Sequence, residues 1–175
     1  MTTVAAYRRP PISGVNTDAE TPVMTVYPSI ACTGLGRLHG KLYESMPVKL
    51  FGVKLSHWLF PLPSAPGAIL LYFYLKLFGV RYTVTNRSVQ VWKSLGNRML
   101  KHVSLNEIDD IAIAQDPGQV FYRAADLQLL NTAGEVILRL EGIPFPDTFR
   151  SLILEARDAR RQTDASQATI AARHN

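Results

Sequence analysis

The 175-residue sequence contains a single cysteine, Cys32, and this scarcity excludes two kinds of site. One thiol cannot form an internal disulfide, and a zinc site built on several cysteines is excluded as well. The four histidines stand at positions 39, 57, 102 and 174, and none has a second ligand at the spacing of a metal site. We therefore expect no metal site and no other cofactor.

Signatures of catalysis and of nucleotide binding are also missing. The spacing of Gly34, Gly36 and Gly40 differs from the dinucleotide-binding fingerprint, and it suits close backbone packing instead. No serine stands in a glycine-flanked nucleophile elbow. The adjacent Asp109 and Asp110 would point to opposite faces of a strand, which excludes a carboxylate dyad. We expect a protein that is not an enzyme, with a hydrolase as the minor alternative.

The first thirty residues lack a continuous apolar run, because Pro10, Pro11, Asp18 and Glu20 interrupt them. A secretory signal peptide requires such a run, so we do not expect secretion. Residues 1–28 also lack a hydrophobic period of 2 or 3.6. This predicts a disordered or loosely docked extension.

Charged residues form only 19% of the chain against 47% hydrophobic residues, and the formal net charge is +5. Residues 1–80 contain seven Lys and Arg against three acids, whereas residues 81–161 contain eleven against ten. The basic excess thus belongs to the N-terminal half, where it suits nucleic acid or an anionic membrane. Tyr82 and Trp92 do not form a base-stacking motif, so we expect no nucleic-acid partner.

Residues 29–80 combine a basic amphipathic pattern with a long apolar run. Leu35, Leu38 and Leu42 fall on one helical face while the neighbouring cations lie elsewhere. This pattern is typical of a helix on a membrane surface, and a helix packed on a sheet is the alternative.

The 23 residues from Trp58 to Val80 contain one charge, Lys76. Three prolines in the first third are expected to prevent a helix there. The remaining residues, Gly67 to Val80, would span about 21 Å as a helix, short of a hydrocarbon core of ~30 Å. Such a helix has no polar face and needs burial in lipid or protein. The predicted membrane-contact residues are Trp58, Phe60, Ile69, Leu70, Leu71, Phe73, Leu75 and Phe78.

From Arg81 to Ile113, apolar and polar residues alternate and break at turn residues, which predicts an antiparallel meander. Asn86-Arg87 and Gly96-Asn97 are the predicted turns. Asp116-Pro117-Gly118 should end a fourth strand and lead into a loop over residues 119–124. A hairpin across Asn131 to Gly134 follows, and then an amphipathic helix with Asp147 as its N-cap.

The segment YTVTNR at Tyr82–Arg87, two further strands around a glycine turn, and LNEIDDI at Leu105–Ile111 resemble the bacterial pleckstrin-homology-like domains. The resemblance implies a mainly β fold with some α, namely a bent antiparallel sheet or partly open barrel capped by a C-terminal amphipathic helix. An apolar helical segment precedes it. We place this domain at residues 81–162, a membrane-associating region at 29–80 and a frayed tail at 163–175.

The resemblance also implies a non-catalytic role in binding or scaffolding, on the cytoplasmic side of a membrane. The candidate residues for an anionic surface are Arg81, Arg87, Lys93, Arg98 and Lys101. Their spacing departs from the basic run of phosphoinositide-binding relatives, so we expect non-specific attraction to anionic lipid, with solvated strand charges as the alternative. The expected partner is an unidentified protein or peptide. Alternatively, residues 58–80 lie buried between the subunits of a soluble homo-oligomer.

Overall fold

The structure, a computed structural model, describes residues 20–46 and 48–173. These residues form a four-stranded antiparallel sheet, a three-stranded antiparallel sheet, a small hairpin and several helices. The strands are β1 (Pro22–Val26), β2 (Lys49–Leu50), β3 (Val53–Lys54), β4 (Val80–Thr85), β5 (Ser88–Lys93), β6 (Met99–Ser104), β7 (Asp110–Ala114), β8 (Ala124–Leu130) and β9 (Val136–Pro144). The helices are α1 (Gly34–Glu44), α2 (Ser56–Leu59), α3 (Pro61–Phe78), α4 (Pro117–Val120) and α5 (Pro146–Arg173), with 3-10 turns at Ile30–Cys32 and Leu105–Glu107.

The predicted meander is confirmed for β4, β5 and β6, whereas the fourth predicted strand, β7, belongs to the second sheet. The larger sheet has the order β1-β4-β5-β6 and the smaller sheet the order β7-β8-β9. The turn after β5 contains Gly96 at φ 80° and Asn97 at φ 47°, a left-handed conformation that these two residue types tolerate. Alternation along the strands therefore carried enough information to locate these strands and their turns.

The core lies between the two sheets and under α5, because alternate strand residues point inward. Phe149 and Ile153 of α5 are almost fully buried against this core. Burial of each such side chain stabilises the fold by about 1.5–3 kcal/mol. The fold class is confirmed: two antiparallel sheets, not closed into a barrel, are capped by a C-terminal helix. The inward-facing strand residues include Tyr82, Val84, Val89, Val91, Val103, Leu127, Leu129, Leu138 and Leu140.

The expected extension over residues 1–28 is not uniformly irregular. Its residues Pro22–Val26 form β1, which pairs antiparallel with β4, and residues 1–19 lie outside the described part. Four of the five β1 residues are exposed. The strand thus depends on main-chain pairing with a distant segment, which leaves no alternating pattern in the sequence.

The expectation that three prolines prevent a helix over the first third of residues 58–80 is wrong. Helix α3 begins at Pro61 and contains Pro66. Pro61 and Pro63 lie in the first turn, where backbone N–H groups have no intrahelical partner and proline costs little. The helix ends before Gly79, whose N–H donates to the carbonyl of Leu75.

Three smaller expectations are corrected. The loop expected after Asp116 begins with helix α4, where Asp116 and Gln119 form a capping box. Helix α5 begins at Pro146, so Asp147 lies inside its first turn rather than at the N-cap. The helix also continues to Arg173, through most of the tail expected to fray.

Candidate membrane-contact surface and polar groove

Helix α3 is apolar on every side, yet it docks on the rest of the protein along one side. Ile69, Leu70, Phe73 and Phe78 from the predicted contact set are exposed, with Leu70 at 71%. Leu75 and Phe60 are half-buried, and Leu71 lines a crevice of about 230 Å³ beside α1. Trp58 lies in α2, and its side chain is outside the described part. Exposed Tyr72, Tyr74 and Leu77 extend the same apolar surface.

Helix α1 presents its leucine face outward. Leu35, Leu38 and Leu42 are exposed, Leu35 at 71%, while Gly36 and Gly40 are buried on the opposite face. A side chain on Gly36 would collide with the carbonyl of Ile30, so the expected role of these glycines in close packing is confirmed. An amphipathic helix normally buries its apolar face. In the described structure, α1 and α3 therefore both leave large apolar side chains exposed, and Leu35 of α1 and Leu71 of α3 line the same crevice.

Buried Asp126 holds α1 rigidly on the smaller sheet. Its carboxylate accepts hydrogen bonds from Arg37 at 3.1 Å, Arg139 at 2.6 Å, Gln119 at 2.6 Å and the Gly142 N–H at 2.9 Å. Burial opposes ionisation of Asp126, but these donors outweigh it and keep the pKa of the carboxyl below its usual value. The region that carries the exposed leucines is thus bound to the sheet and is not a loose tether.

The structure brings four of the five predicted cations to one end of the larger sheet. Lys93 and Arg98 flank the β5–β6 turn, where the Lys93 N–H donates to the Arg98 carbonyl at 2.8 Å. Lys101 lies opposite Val91, and Arg81 lies opposite Trp92. Arg87 follows β4 at the far end of the sheet, about 20 Å from Arg81 at the rise of a strand.

These cations do not share one face. Strand alternation places Lys93 and Lys101 on the side of the sheet that carries Val91, and Arg81 on the opposite side with Trp92. The Arg81 guanidinium lies 5.9 Å from the Trp92 ring centre and hydrogen-bonds Asn97 Oδ1. The arrangement suits a spread positive surface better than a single headgroup pocket.

The side of the sheet that carries Arg81 forms a polar groove of about 560 Å³. Its lining residues include Glu20, Thr83, Thr85, Gln90 and Trp92. Thr85, Ser88 and Gln90 donate hydrogen bonds to Glu20 Oε1 at 2.7, 2.5 and 2.9 Å. The hydrogen bond from Ser88, followed by that from Thr85, lowers the pKa of Glu20 against the opposing effect of its burial. We call the three donors, Thr85, Ser88 and Gln90, the carboxylate socket.

Sequence reasoning missed this socket, and the only partial signal was the polar character of its three donors. Thr85, Ser88 and Gln90 are buried polar residues in two neighbouring strands of the larger sheet. Ser88 is 1% exposed. Buried hydroxyl and amide groups require partners, so such residues in central strands indicate a polar network.

Aromatic side chains contact two of the histidines, His39 of α1 and His57 of α2. His39 hydrogen-bonds the Tyr122 hydroxyl through Nδ1, and His57 packs edge-on against Phe121 with ring centres 5.4 Å apart. Burial lowers the pKa of His39 and favours its neutral form. No group of three His, Cys, Asp or Glu side chains in the described residues could hold a metal ion. The two histidines and the aromatic rings around them therefore pack α1 and α2 together, and they do not form a metal site in the described residues.

Cys32 lies close to Gly142 in the contact between the first 3-10 turn and β9. Burial, reinforced by the charge of Glu141, raises the pKa of the thiol to about 11. A nucleophilic cysteine requires the thiolate at neutral pH, so this environment disfavours catalysis by Cys32.

The family model of the bacterial PH domain matches residues 46–157, which is more than half of the chain. The chain belongs to the bacterial PH domain family. The seven strands of the two larger sheets and α5 form the fold expected of this PH domain, although β1 and α1 precede the matched residues. No curated protein and no solved structure matches the chain. Membership of this family supports the view that the domain is a non-catalytic module.

No helix in residues 20–46 and 48–173 is both long and apolar enough to cross a membrane.

Proposed function

We propose that this PH domain is a non-catalytic module that sits on an anionic membrane surface through α1 and α3 and binds a protein or peptide partner. The observation that carries this proposal is the exposed apolar surface made by the leucine face of α1 and the free sides of α3. We also propose that the domain faces the cytoplasm. Family membership supports the non-catalytic part, and the remaining arguments come from the surface itself.

The composition of this surface suits the boundary between lipid and water. Leucine and phenylalanine side chains provide apolar area, while Tyr72 and Tyr74 add rings with a polar tip, as interfacial segments do. Large contiguous apolar patches exposed to water are uncommon on monomeric proteins, and they mark interaction sites. A helix that lies in the interface needs no transmembrane length.

The charge distribution supports an anionic surface. From Ser45 to Asn106 the chain contains eight Lys and Arg and no Asp or Glu. This acid-free segment contains α3, the β5–β6 turn and all five candidate cations. Each cation near an anionic leaflet contributes ~1 kcal/mol of attraction. Apolar and basic contributions therefore act in the same part of the chain.

A homo-oligomer is the second candidate, because the same apolar surface could pack against a second copy of the chain. Such an interface would cover Leu70 and Phe73 with protein instead of lipid. Formation of this homo-oligomer interface would not depend on the cations of the acid-free segment. Dependence on lipid charge therefore separates the two candidates.

Vesicle co-sedimentation of the full chain tests the proposal. We expect binding to vesicles with phosphatidylserine and much weaker binding to purely phosphatidylcholine vesicles. The variant Leu70→Glu/Phe73→Glu should lose binding because it places charge in the apolar contact. Val136→Glu, an exposed apolar site on β9, is the matched control and should bind like the wild type.

Analytical ultracentrifugation without lipid provides the opposing result. A discrete oligomer that Leu70→Glu/Phe73→Glu dissociates, together with no vesicle binding by the wild type, would replace the membrane proposal with the homo-oligomer.

A further inference from the structure

The carboxylate socket is held in place by contacts among its own members. Ser88 Oγ accepts a hydrogen bond from Gln90 Nε2 at 3.0 Å, and the Ser88 N–H donates to Thr85 Oγ1 at 2.8 Å. The Gln90 Oε1 accepts from Trp92 Nε1 at 2.8 Å, which fixes the amide with its NH₂ group towards Glu20. These contacts do not include Glu20. The three donors would thus stay arranged around a carboxylate position if Glu20 left it.

The bonds of Glu20 to the socket add to a small number of other attachments that hold strand β1. Its exposed side chains bury little apolar surface, and Val26 alone among them is half-buried against the core. Its other attachments are main-chain pairing with β4, the hydroxyl contact between Thr25 and Thr83 at 3.1 Å, and the Thr21–Asn86 bonds at 3.0 and 3.1 Å. Segments with few apolar contacts open at lower free energy than the core. β1 is therefore the strand of the larger sheet that can leave at least cost.

Departure of β1 would create an edge suited to an extended peptide. Strand β4 would then present its free main-chain N–H and C=O groups on the side opposite β5. The socket lies at the Thr85 end of that edge, where it would accept one carboxylate of an added strand. Main-chain pairing supplies affinity in such strand addition, and a side-chain site supplies specificity.

We propose that the β4 edge and the carboxylate socket form a binding site for an extended segment of a partner protein that carries Glu or Asp just before its paired residues. The segment Glu20–Val26 occupies this site in cis as a removable strand. Its own register defines the partner, because Pro22 pairs with Thr85 and the carboxylate lies two residues earlier. This inference rests on the proposed function and specifies its partner-binding half.

The tether after β1 determines how the site is controlled. Three residues separate Val26 from the first 3-10 turn, and the last of them, Ser29, donates its N–H to the Gly142 carbonyl at 2.8 Å. A short tether keeps β1 at an effective concentration in the millimolar range. A partner in trans therefore competes poorly until the contact of Glu20 with the socket is weakened.

The experiment measures exchange with a defined probe, an acetylated, fluorescein-labelled peptide with the sequence of Glu20–Pro28. Full-length Glu20→Lys protein should bind it at least about tenfold more tightly than wild type, because lysine cannot accept the socket's hydrogen bonds. Glu155→Lys, an exposed glutamate on α5, is the matched control and should behave like wild type. A peptide with Gln in place of Glu20 should bind Glu20→Lys protein no more tightly than it binds wild type. Equal binding by all three proteins, or by both peptides, would overturn the inference.

Hydrogen exchange on the unmodified protein gives a test that no variant can confound. Amides of β1 should exchange through a local opening, at a lower free energy than those of β5. Exchange of β1 only with global unfolding would contradict a removable strand. A concentration-dependent dimer of Glu20→Lys would assign the site to a second copy and overturn the partner assignment. If Glu20→Lys protein does not bind the peptide but binds vesicles like wild type, this inference is refuted and the membrane proposal stands.

Discussion

Gly40 of α1 lies against the backbone carbonyl of Gly118 in α4, and Gly118 lies in turn against the backbone of Arg37. Neither position has room for a Cβ atom. The two helices therefore meet backbone to backbone on the glycine face of α1. This contact, with the Arg37–Asp126 ion pair, turns the leucine face outward.

We predict that Gly40→Ala destabilises the protein by about 1–3 kcal/mol, the usual cost of forcing a group into a packed contact. Urea denaturation measures the change in the free energy of unfolding. Gly34→Ala is the matched control in the same helix, because a Cβ there meets open space. Stability that falls equally in both variants would show that the α1–α4 contact has no special role.

We predict that Asp126→Asn lowers the free energy of unfolding by about 2 kcal/mol, because it weakens charge-assisted bonds to Arg37 and Arg139 in a buried place. The folded-state pKa of Asp126 is below its unfolded value. Its stabilisation is therefore present above pH ~4 and disappears as pH falls through the folded pKa.

Chemical denaturation at pH 7 and at pH 3 checks this dependence. The loss caused by Asp126→Asn should be smaller at pH 3. Exposed Asp158→Asn is the control, and an equal, pH-independent loss in Asp126→Asn would contradict the charge argument.

The sheets and α5 were predictable from sequence because alternation and helical periodicity record which residues face a core. Strand β1 was not, because its pairing with β4 joins residues about sixty positions apart and leaves its side chains in water. Prolines in the first turn of α3 look like helix breakers in a pattern, yet they cost little there.

The candidate site was predictable in part. The apolar membrane-contact residues were found because they form an uninterrupted run, but whether lipid or protein covers them is not encoded in that run. Dividing the charge count at Arg81 concealed the acid-free segment from Ser45 to Asn106, because acidic residues after Asn106 balance the cations of that segment. The socket around Glu20 required the three-dimensional contact between residues 65 to 70 positions apart.

We predict that Lys93→Gln/Arg98→Gln/Lys101→Gln weakens binding to phosphatidylserine vesicles at least about tenfold at low salt, because three cations near the leaflet are removed. The difference should shrink at high ionic strength, where surface charges are screened. Vesicle co-sedimentation at two salt concentrations measures it. The control removes equal charge from α5, with Arg150→Gln/Arg160→Gln/Arg161→Gln. Equal loss in both variants would mean that net charge alone governs binding.

We predict that Cys32 in the folded protein is alkylated far more slowly than a free thiol at pH 8. Burial and nearby Glu141 raise its pKa from 9.0 to about 11, which reduces the thiolate about a hundredfold. Because the folded protein holds this proton more tightly than the unfolded chain, the contribution to stability is present below pH 9. It is lost as pH rises from 9 towards 11. Mass spectrometry after timed iodoacetamide treatment, with and without urea, measures the rates. Equal rates in the two conditions would place Cys32 in solvent and contradict the contact between the first 3-10 turn and Gly142.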